Sequence, residues 1–190
     1  MQVQIKSGQS LTEPVSVSDF KTYAGYLQSD QDDLIGQLIT AARELLEEET
    51  GLSCIKKVYE VEFDRFDMIG DDLSGIGYNG YDMGWFRLPF SPVTEITSVK
   101  IGGVDTTYDQ RGLKVIDIHP DSVIQTGTTN NTLAVEFIAG ASNKRIMTAI
   151  SRITKELFEN RKDDMTDVSI SSLNFDTQRL ISSLNTNTGF

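Results

Sequence analysis

The sequence has very few of the residues that most enzyme and metal sites need. Its 190 residues include one cysteine, Cys54, and one histidine, His119. A single cysteine excludes an intrachain disulfide and a multi-thiolate zinc site, and we interpret Cys54 as a small buried hydrophobe. Any Ser/His/Asp or Cys/His arrangement would have to use His119, which precedes Pro120 at a predicted strand end. We therefore expect no catalysis and no cofactor.

Basic residues and long apolar runs are also scarce. Lys and Arg number 17 against 28 Asp and Glu, which gives a formal net charge of -11. A chain this acidic repels nucleic acid unless a basic face is segregated from the rest. No apolar run approaches the roughly 18 residues that a membrane-spanning helix requires. We expect a soluble globular protein of one compact domain, with no membrane partner.

Three segments have the periodicity and end signals of helices. Ser16 followed by Asp19, with Val15 and Phe20 spaced as a hydrophobic staple, predicts a short helix over about 17–26. Two long amphipathic helices are predicted over 31–50, ended by Gly51, and over 142–161, capped by Asn143 or Ser142. The residues predicted to form their shared core are Leu34, Leu38, Leu45, Ile146, Ile150, Ile153 and Leu157.

Between the long helices the period changes to two, which predicts a β insertion over about 54–139. Gly102-Gly103 is a two-residue hairpin signal within it. The predicted fold class is therefore α+β: a small bundle of two long helices plus short N- and C-terminal helices, with an inserted antiparallel sheet or sandwich. We place one domain over residues 1–165, followed by a polar tail over 166–190 that we expect to bury little against that domain.

Residues 66–85 contain five glycines and four aspartates. Asn79-Gly80 is the preferred pair for a type I′ turn, so we predict a projecting β-hairpin arm, with a surface loop as the alternative. Its predicted contact residues are Ile76, Tyr78, Asn79, Gly80, Tyr81 and Met83. The aspartates Asp67, Asp71, Asp72 and Asp82 are weak candidates for calcium, because their spacing does not fit the EF-hand pattern. An acidic calcium-binding module stays an alternative function.

Charge is segregated between the two long helices. Residues 30–50 carry seven acidic residues against one base, and residues 142–162 carry six bases against two acidic residues. Solvated helix faces are one interpretation; the other is a head-to-tail assembly in which the basic helix of one copy meets the acidic helix of the next. The residues predicted to pair are Asp32, Asp33, Glu47 and Glu48 with Lys144, Arg145, Arg152 and Lys155.

In order along the chain, several segments resemble the head-tail connector (adaptor, or head-completion) proteins of tailed bacteriophages. They are "EPVSVSDFKTYAGY", "DDLIGQLITAARELLEEETGL", "RLPFSPVTEITSVKIGG", "LAVEFIAG" and "IMTAISRITKELFENR", which together span residues 13–162. The arm is longer and richer in glycine than is usual in that family, and the polar tail is extended.

The resemblance implies a structural virion protein without catalytic activity. In this family, a small helical bundle with a β insertion assembles as a ring of about twelve copies beneath the portal and continues the DNA channel toward the tail. The implied partners are sister copies, the portal protein and the next tail or stopper component, while DNA passes through without specific binding. The implied location is the virion, after assembly in the host cytoplasm. A stopper or tail terminator is the alternative within the same class.

The resemblance also assigns a role to the C-terminal segment, which members of the family use to grip the portal. The corresponding residues are Phe175, Leu180, Ile181, Leu184 and Phe190. We assign the arm to a neighbouring subunit or to the next tail component.

Overall fold

A computed structural model describes residues 2–6, 12–63, 85–112, 115–118, 132–160 and 173–185. These residues form two compact units: a sheet unit from Met1–Ser10 and Lys56–Gly140, and a helical unit from Leu11–Ile55 and Ala141–Phe190. The α+β class is confirmed, while the division into one domain and a tail stays a prediction. In chain order the elements are β1 Gln2–Ile5, α1 Val17–Ala24, α2 Asp32–Thr50, β2 Lys57–Phe63, β3 Trp85–Arg87, β4 Val93–Ile101, β5 Val104–Asp105, β6 Tyr108–Arg111, β7 Val115–Ile118, β8 Leu133–Ala139, α3 Lys144–Glu159 and α4 Phe175–Asn185.

The helix ends follow the predicted capping signals. Ser16 caps α1 through a reciprocal capping box with Asp19, which satisfies donors that a helix start leaves unpaired. Gly25 then ends this helix in the left-handed conformation, two residues or so before the predicted end. Gly51 ends α2 in the same way, and the Asn143 side chain accepts hydrogen bonds from two backbone N–H groups at the start of α3.

Of the three residues of α2 that were predicted to lie in the core, Leu38 is buried as predicted and the other two are not fully buried. Leu34 and Leu45 are only partly buried, whereas their neighbours Ile35 and Leu46 are fully buried, along with Ile39 and Ala42. Apolar residues stand in pairs along α2, so the sequence allows two adjacent stripes, and packing against other helices selects one of them. In α3, Ile146, Ile150 and Ile153 are buried as predicted, and Leu157 packs partly buried against the same cluster.

Helix α4 corrects the expectation that the C-terminal segment buries little against its own chain. Ile181 and Leu184 are buried in the core of the helical unit, and Leu173 just before the helix is buried there too. Their spacing places the two helix residues on one face of α4. Residues 173–185 are thus an integral part of the helical unit.

The sheet unit contains a five-stranded antiparallel sheet in the order β1-β2-β8-β4-β5. Along β2 and β8 burial alternates residue by residue, as expected for strands with one covered face. Tyr59 stacks on Phe137 across the β2–β8 pair with ring centroids 5.6 Å apart, and Phe90 stacks on Tyr59 at 4.5 Å. The aromatic stack lies in the core of this unit.

The predicted hairpin at Gly102-Gly103 is confirmed. Lys100 pairs with Asp105 and Ile101 with Val104, and both glycines have positive φ, as a type I′ turn requires. A separate three-stranded sheet has the order β3-β7-β6.

Strand β1 was not predicted, since four residues are too few for a clear alternation. It pairs antiparallel with β2, with Val3 opposite Val61 and Ile5 opposite Tyr59. The Lys6 ammonium bonds the Glu136 carboxylate of β8; this hydrogen bond raises the pKa of Lys6. The edge strand therefore extends the apolar face of the main sheet.

Candidate functional site

The acidic residues predicted to pair between copies do not all face solvent. Asp33 and Glu48 are exposed on α2. Asp32 is partly buried and accepts from the Lys21 ammonium of α1 at 2.8 Å. Glu47 lies mostly inside the helical unit, where it binds Arg43 and the backbone N–H of Cys54. Asp33 and Glu48 are the two of these four that are presented outward.

Arg43 is a buried cation held by three carboxylates. Its guanidinium nitrogens lie 2.9 Å from Glu13 Oε2, 2.7 Å from Glu47 Oε2 and 3.2 Å from Glu44 Oε1, and its side chain is 6% exposed. Burial by itself would lower the pKa of Arg43, but the hydrogen bond to Glu13 and the charges of Glu47, Glu13 and Glu44 outweigh that effect. The net result is a raised pKa, so Arg43 is a permanent positive charge inside an otherwise acidic helix.

The basic residues predicted on α3 are more accessible. Lys144 and Arg145 lie exposed in its first turn, and Arg145 donates to Ser183 Oγ of α4 at 2.9 Å. Arg152 is partly buried, and Lys155 lies 3.7 Å from Glu159 on the next turn of the same helix. Exposed surface pairs of this kind contribute little to stability, so the cations stay available for other contacts.

An open groove of about 710 Å³ runs along the surface between α1 and α2. The residues that matter for its chemistry are Val17, Asp33, Gly36, Gln37, Ala41 and Glu44. A second groove of about 440 Å³ adjoins it, sharing Val17 and Asp32 and extending to Leu27. We call the first the α1–α2 groove. Its lining combines small and apolar residues with acidic ones, and sequence reasoning did not identify it.

Several large apolar side chains are exposed on the described residues. Leu27, in the connection between α1 and α2, is 93% exposed, and Phe175, at the start of α4, is 74% exposed. Val3 and Ile5 of the edge strand are also exposed. Single exposed apolar residues are common on protein surfaces, so the exposure of Leu27 does not by itself mark a contact surface.

Among the described residues that were predicted to dock on the portal, Phe175 is the most accessible. Leu180 is partly buried, and Ile181 and Leu184 belong to the core of the helical unit. Glu156 of α3 fixes the start of α4 by accepting from the Asn174 backbone N–H at 2.8 Å and from the Thr177 hydroxyl. Any docking by this segment therefore involves its outward face.

Several predicted residues lie outside the described residues. They are Ile76, Tyr78, Asn79, Gly80, Tyr81 and Met83 of the arm, the aspartates Asp67, Asp71, Asp72 and Asp82, His119 and Phe190. Cys54 is described and is fully buried, as predicted.

Within the described part of the chain, no group of three or more His, Cys, Asp or Glu residues is placed to hold a metal ion. No helix there is long and apolar enough to cross a membrane.

No model of a known protein family and no curated protein matches this chain by sequence. Its structure is similar to chains of gene transfer agent (GTA) particles. A chain in the neck of the empty GTA particle, computed with C6 symmetry, matches with a TM-score of 0.66 and 15% identity over 97% of this chain and 95% of that chain. A chain in the neck of the native particle, computed with C12 symmetry, matches with a TM-score of 0.63 and 12% identity over 97% and 94%.

A chain in the virion of the native GTA particle matches with a TM-score of 0.63 and 15% identity over 97% of this chain and 95% of that chain. The TM-scores show a shared fold that extends over nearly the whole chain in each comparison, and at these identities the likeness is one of fold alone. The resemblance to phage head-tail connector proteins is confirmed at the level of the fold.

Proposed function

We propose that this chain is a structural virion protein, one subunit of a ring that joins the portal vertex of a phage capsid to the tail and continues the DNA channel. The observation that carries the proposal is the fold likeness over 97% of this chain to a chain in the neck of a GTA particle. The sequence contains one histidine and one cysteine, which supports a structural role over an enzymatic one that activates a nucleophile through these residues.

A ring of about twelve copies is supported by the C12 symmetry with which one of the similar necks was computed. The chain's own surface also favours a heterologous contact, in which different patches on two copies meet and the rotation closes. Asp33 and Glu48 supply exposed negative charge on α2, while Lys144 and Arg145 supply exposed positive charge on α3. A repeated contact between these two helices matches opposite charges at every interface.

The proposed channel explains the acidic composition. Duplex DNA has to slide through the ring during packaging and ejection, and Lys and Arg on the wall would bind phosphates and release counterions. The formal charge of -11 on each copy makes such binding unfavourable. DNA is thus a passing cargo in this proposal.

The remaining contacts are with the portal and with the next tail or stopper component. For the portal we propose the outward face of α4 led by Phe175, because Ile181 and Leu184 are occupied in the chain's own core. For a neighbouring subunit or the next tail component we propose the arm over 66–85. Assembly of these contacts in the host cytoplasm would precede release in the virion.

The direct test is the mass and shape of the purified chain, alone and mixed with its portal protein. Mass photometry should show a species of about twelve times the 21.1 kDa chain mass, and electron micrographs should show rings stacked on portal rings. A purified chain that stays monomeric at micromolar concentration, both alone and with the portal, would overturn the proposal. Rings that bind the tail tube and do not bind the portal would favour a tail terminator instead.

A further inference from the structure

Gly36 is a glycine in the interior of a long helix, where it weakens the helix relative to alanine. Nothing in the described structure requires it. A Cβ built at Gly36 would meet Val17 Cγ2 at 3.9 Å, an ordinary van der Waals contact, and the backbone there is not in the left-handed conformation. No contact within the described structure therefore compensates for the lower stability that Gly36 gives to α2.

Gly36 lines the α1–α2 groove and has no side chain there to cover the helix backbone. Glycine at such a place permits another segment to approach the backbone closely. Ala41 is exposed in the same groove, and its small side chain leaves room there for a partner. The groove is thus shaped for a segment that comes from outside the chain.

Charge identifies the segment that fits. Asp33 and Glu44, both exposed, line the groove and make it negative, so its occupant carries positive charge. Helix α3 begins with Lys144 and Arg145 and has no acidic residue in its first turn. Cations at this position oppose the helix dipole and weaken the helix that carries them, unless a negative surface lies against them. The groove is negative and the start of α3 is positive, so the two surfaces are complementary in charge, although Glu44 also contacts Arg43 and Arg145 also donates to Ser183.

Leu27 adds an apolar contact at the same place. It lines the adjoining groove, which shares Val17 and Asp32 with the α1–α2 groove, and it is 93% exposed. A partner that lies over both grooves would cover it. Burial of one such leucine strengthens association without adding charge.

We infer that the α1–α2 groove is the acceptor site for a second copy of this chain, whose α3 start lies over Gly36 with Lys144 and Arg145 between Asp33 and Glu44. This inference rests on the proposed ring, and it names the contact that builds it. The contact is heterologous, since each copy gives its α3 start to one neighbour and its groove to the other.

The test compares folding and assembly in the same variants. Gly36→Ala should raise the melting temperature of the chain by about 2 to 4 °C because it strengthens α2. It should also weaken ring assembly, so that the concentration at which half of the chain is assembled rises at least tenfold. Ala41→Phe, at an exposed position, should fill the groove and weaken assembly further with no loss of folding. Ser182→Ala, exposed on α4, is the control and should leave assembly unchanged.

A cross-link identifies the occupant. Gln37→Cys combined with Lys144→Cys should give covalent ladders of chains under mild oxidation. Gln37→Cys combined with Glu159→Cys, at the other end of α3, should not. The native Cys54 is buried and contributes little background.

The outcomes separate this inference from the proposed function. Rings that form normally from both Gly36→Ala and Ala41→Phe, with no ladder from the cysteine pair, would overturn the inference and leave the ring proposal standing. Variants that keep the ring and lose portal binding would also overturn it, because the groove would then serve a different protein. A wild-type chain that forms no ring, alone or with the portal, would overturn both.

Discussion

Glu47 links Arg43 to the chain that follows helix α2. Its Oε2 accepts from Arg43 Nη1 at 2.7 Å, and its Oε1 accepts from the backbone N–H of Cys54 at 2.8 Å. Arg43 also reaches Glu13, which precedes α1. A single buried cation therefore ties together the segment before α1, the middle of α2 and the segment after it.

Arg43→Met should destabilise the helical unit by about 2 to 3 kcal/mol, because Glu13 and Glu47 lose their counter-charge while staying partly buried. The raised pKa of Arg43 has a definite consequence for pH. A cation whose folded pKa is raised contributes fully below its ordinary pKa and loses that contribution only as pH rises beyond it. The loss on substitution should therefore be the same at pH 6 and pH 9.

Urea unfolding at both pH values measures this loss. Arg179→Met is a matched control, since Arg179 is exposed on α4, and it should cost little. A loss below about 0.5 kcal/mol for Arg43→Met would show that the cluster is energetically neutral.

Glu156→Ala should loosen α4 without unfolding the rest of the helical unit. Glu156 accepts from the Asn174 backbone N–H and the Thr177 hydroxyl, so its removal leaves these two donors without that acceptor, while Asn174 Oδ1 still accepts from the Thr177 backbone N–H. Amide hydrogen exchange over residues 175–185 should accelerate roughly tenfold. Glu159→Ala, which removes only a surface pair with Lys155, should leave exchange unchanged. Equal protection in the two variants would contradict this assignment.

The sequence predicted the elements that depend on local chemistry. The Ser16–Asp19 capping box, the closing Gly51 and the Gly102-Gly103 turn each use interactions between residues close in the chain, and all three are present. Burial alternates along β2, as the predicted period of two requires.

What the sequence did not predict depends on contacts between distant residues. The choice of Ile35 over Leu34 as a core residue is set by which helices pack on α2. The short C-terminal helix was predicted, but the burial of Ile181 and Leu184 in the chain's own core is likewise set by packing, since an apolar face can cover its own chain or a partner. The same holds for the candidate site, because the α1–α2 groove exists only once Val17 and Gly36 meet. Two features of the sequence could have pointed to the groove: Gly36 is a glycine inside a predicted helix, and Leu27 is an apolar residue among polar ones.

Phe175→Ser should abolish or strongly weaken binding to the portal while leaving the fold intact. The ring of Phe175 is 74% exposed, so its loss costs the isolated chain little, whereas a buried aromatic anchor at an interface typically contributes about 2 kcal/mol or more. Calorimetry against purified portal rings should show at least a tenfold weaker affinity. Ile181→Ala is the informative contrast, because it should lower the melting temperature. Unchanged portal affinity in Phe175→Ser would remove α4 from that interface.

Charge reversal tests the pairing between copies. Asp33→Lys should weaken ring assembly roughly tenfold, because it places a cation against the basic start of α3. Lys144→Glu should do the same from the other side, and the two changes in one chain should restore most of the assembly. Glu62 is exposed on β2, and Glu62→Lys changes the net charge by the same amount as Asp33→Lys, so it serves as the control for that variant. Additive loss in the double variant would mean that the two helices do not meet.

Deletion of residues 70–82 should leave a folded chain that assembles poorly into particles. The reason lies in the sequence, where Tyr78 and Tyr81 flank the Asn79-Gly80 pair that predicts a turn. In the predicted two-stranded arm, only a partner would cover these aromatic residues. Circular dichroism and melting of the deleted chain should match wild type within about 2 °C. Tyr78→Ser with Tyr81→Ser should reproduce the assembly defect without shortening the chain, because the loss is one of apolar contact. Infectious particles at normal yield from both variants would remove the arm from assembly.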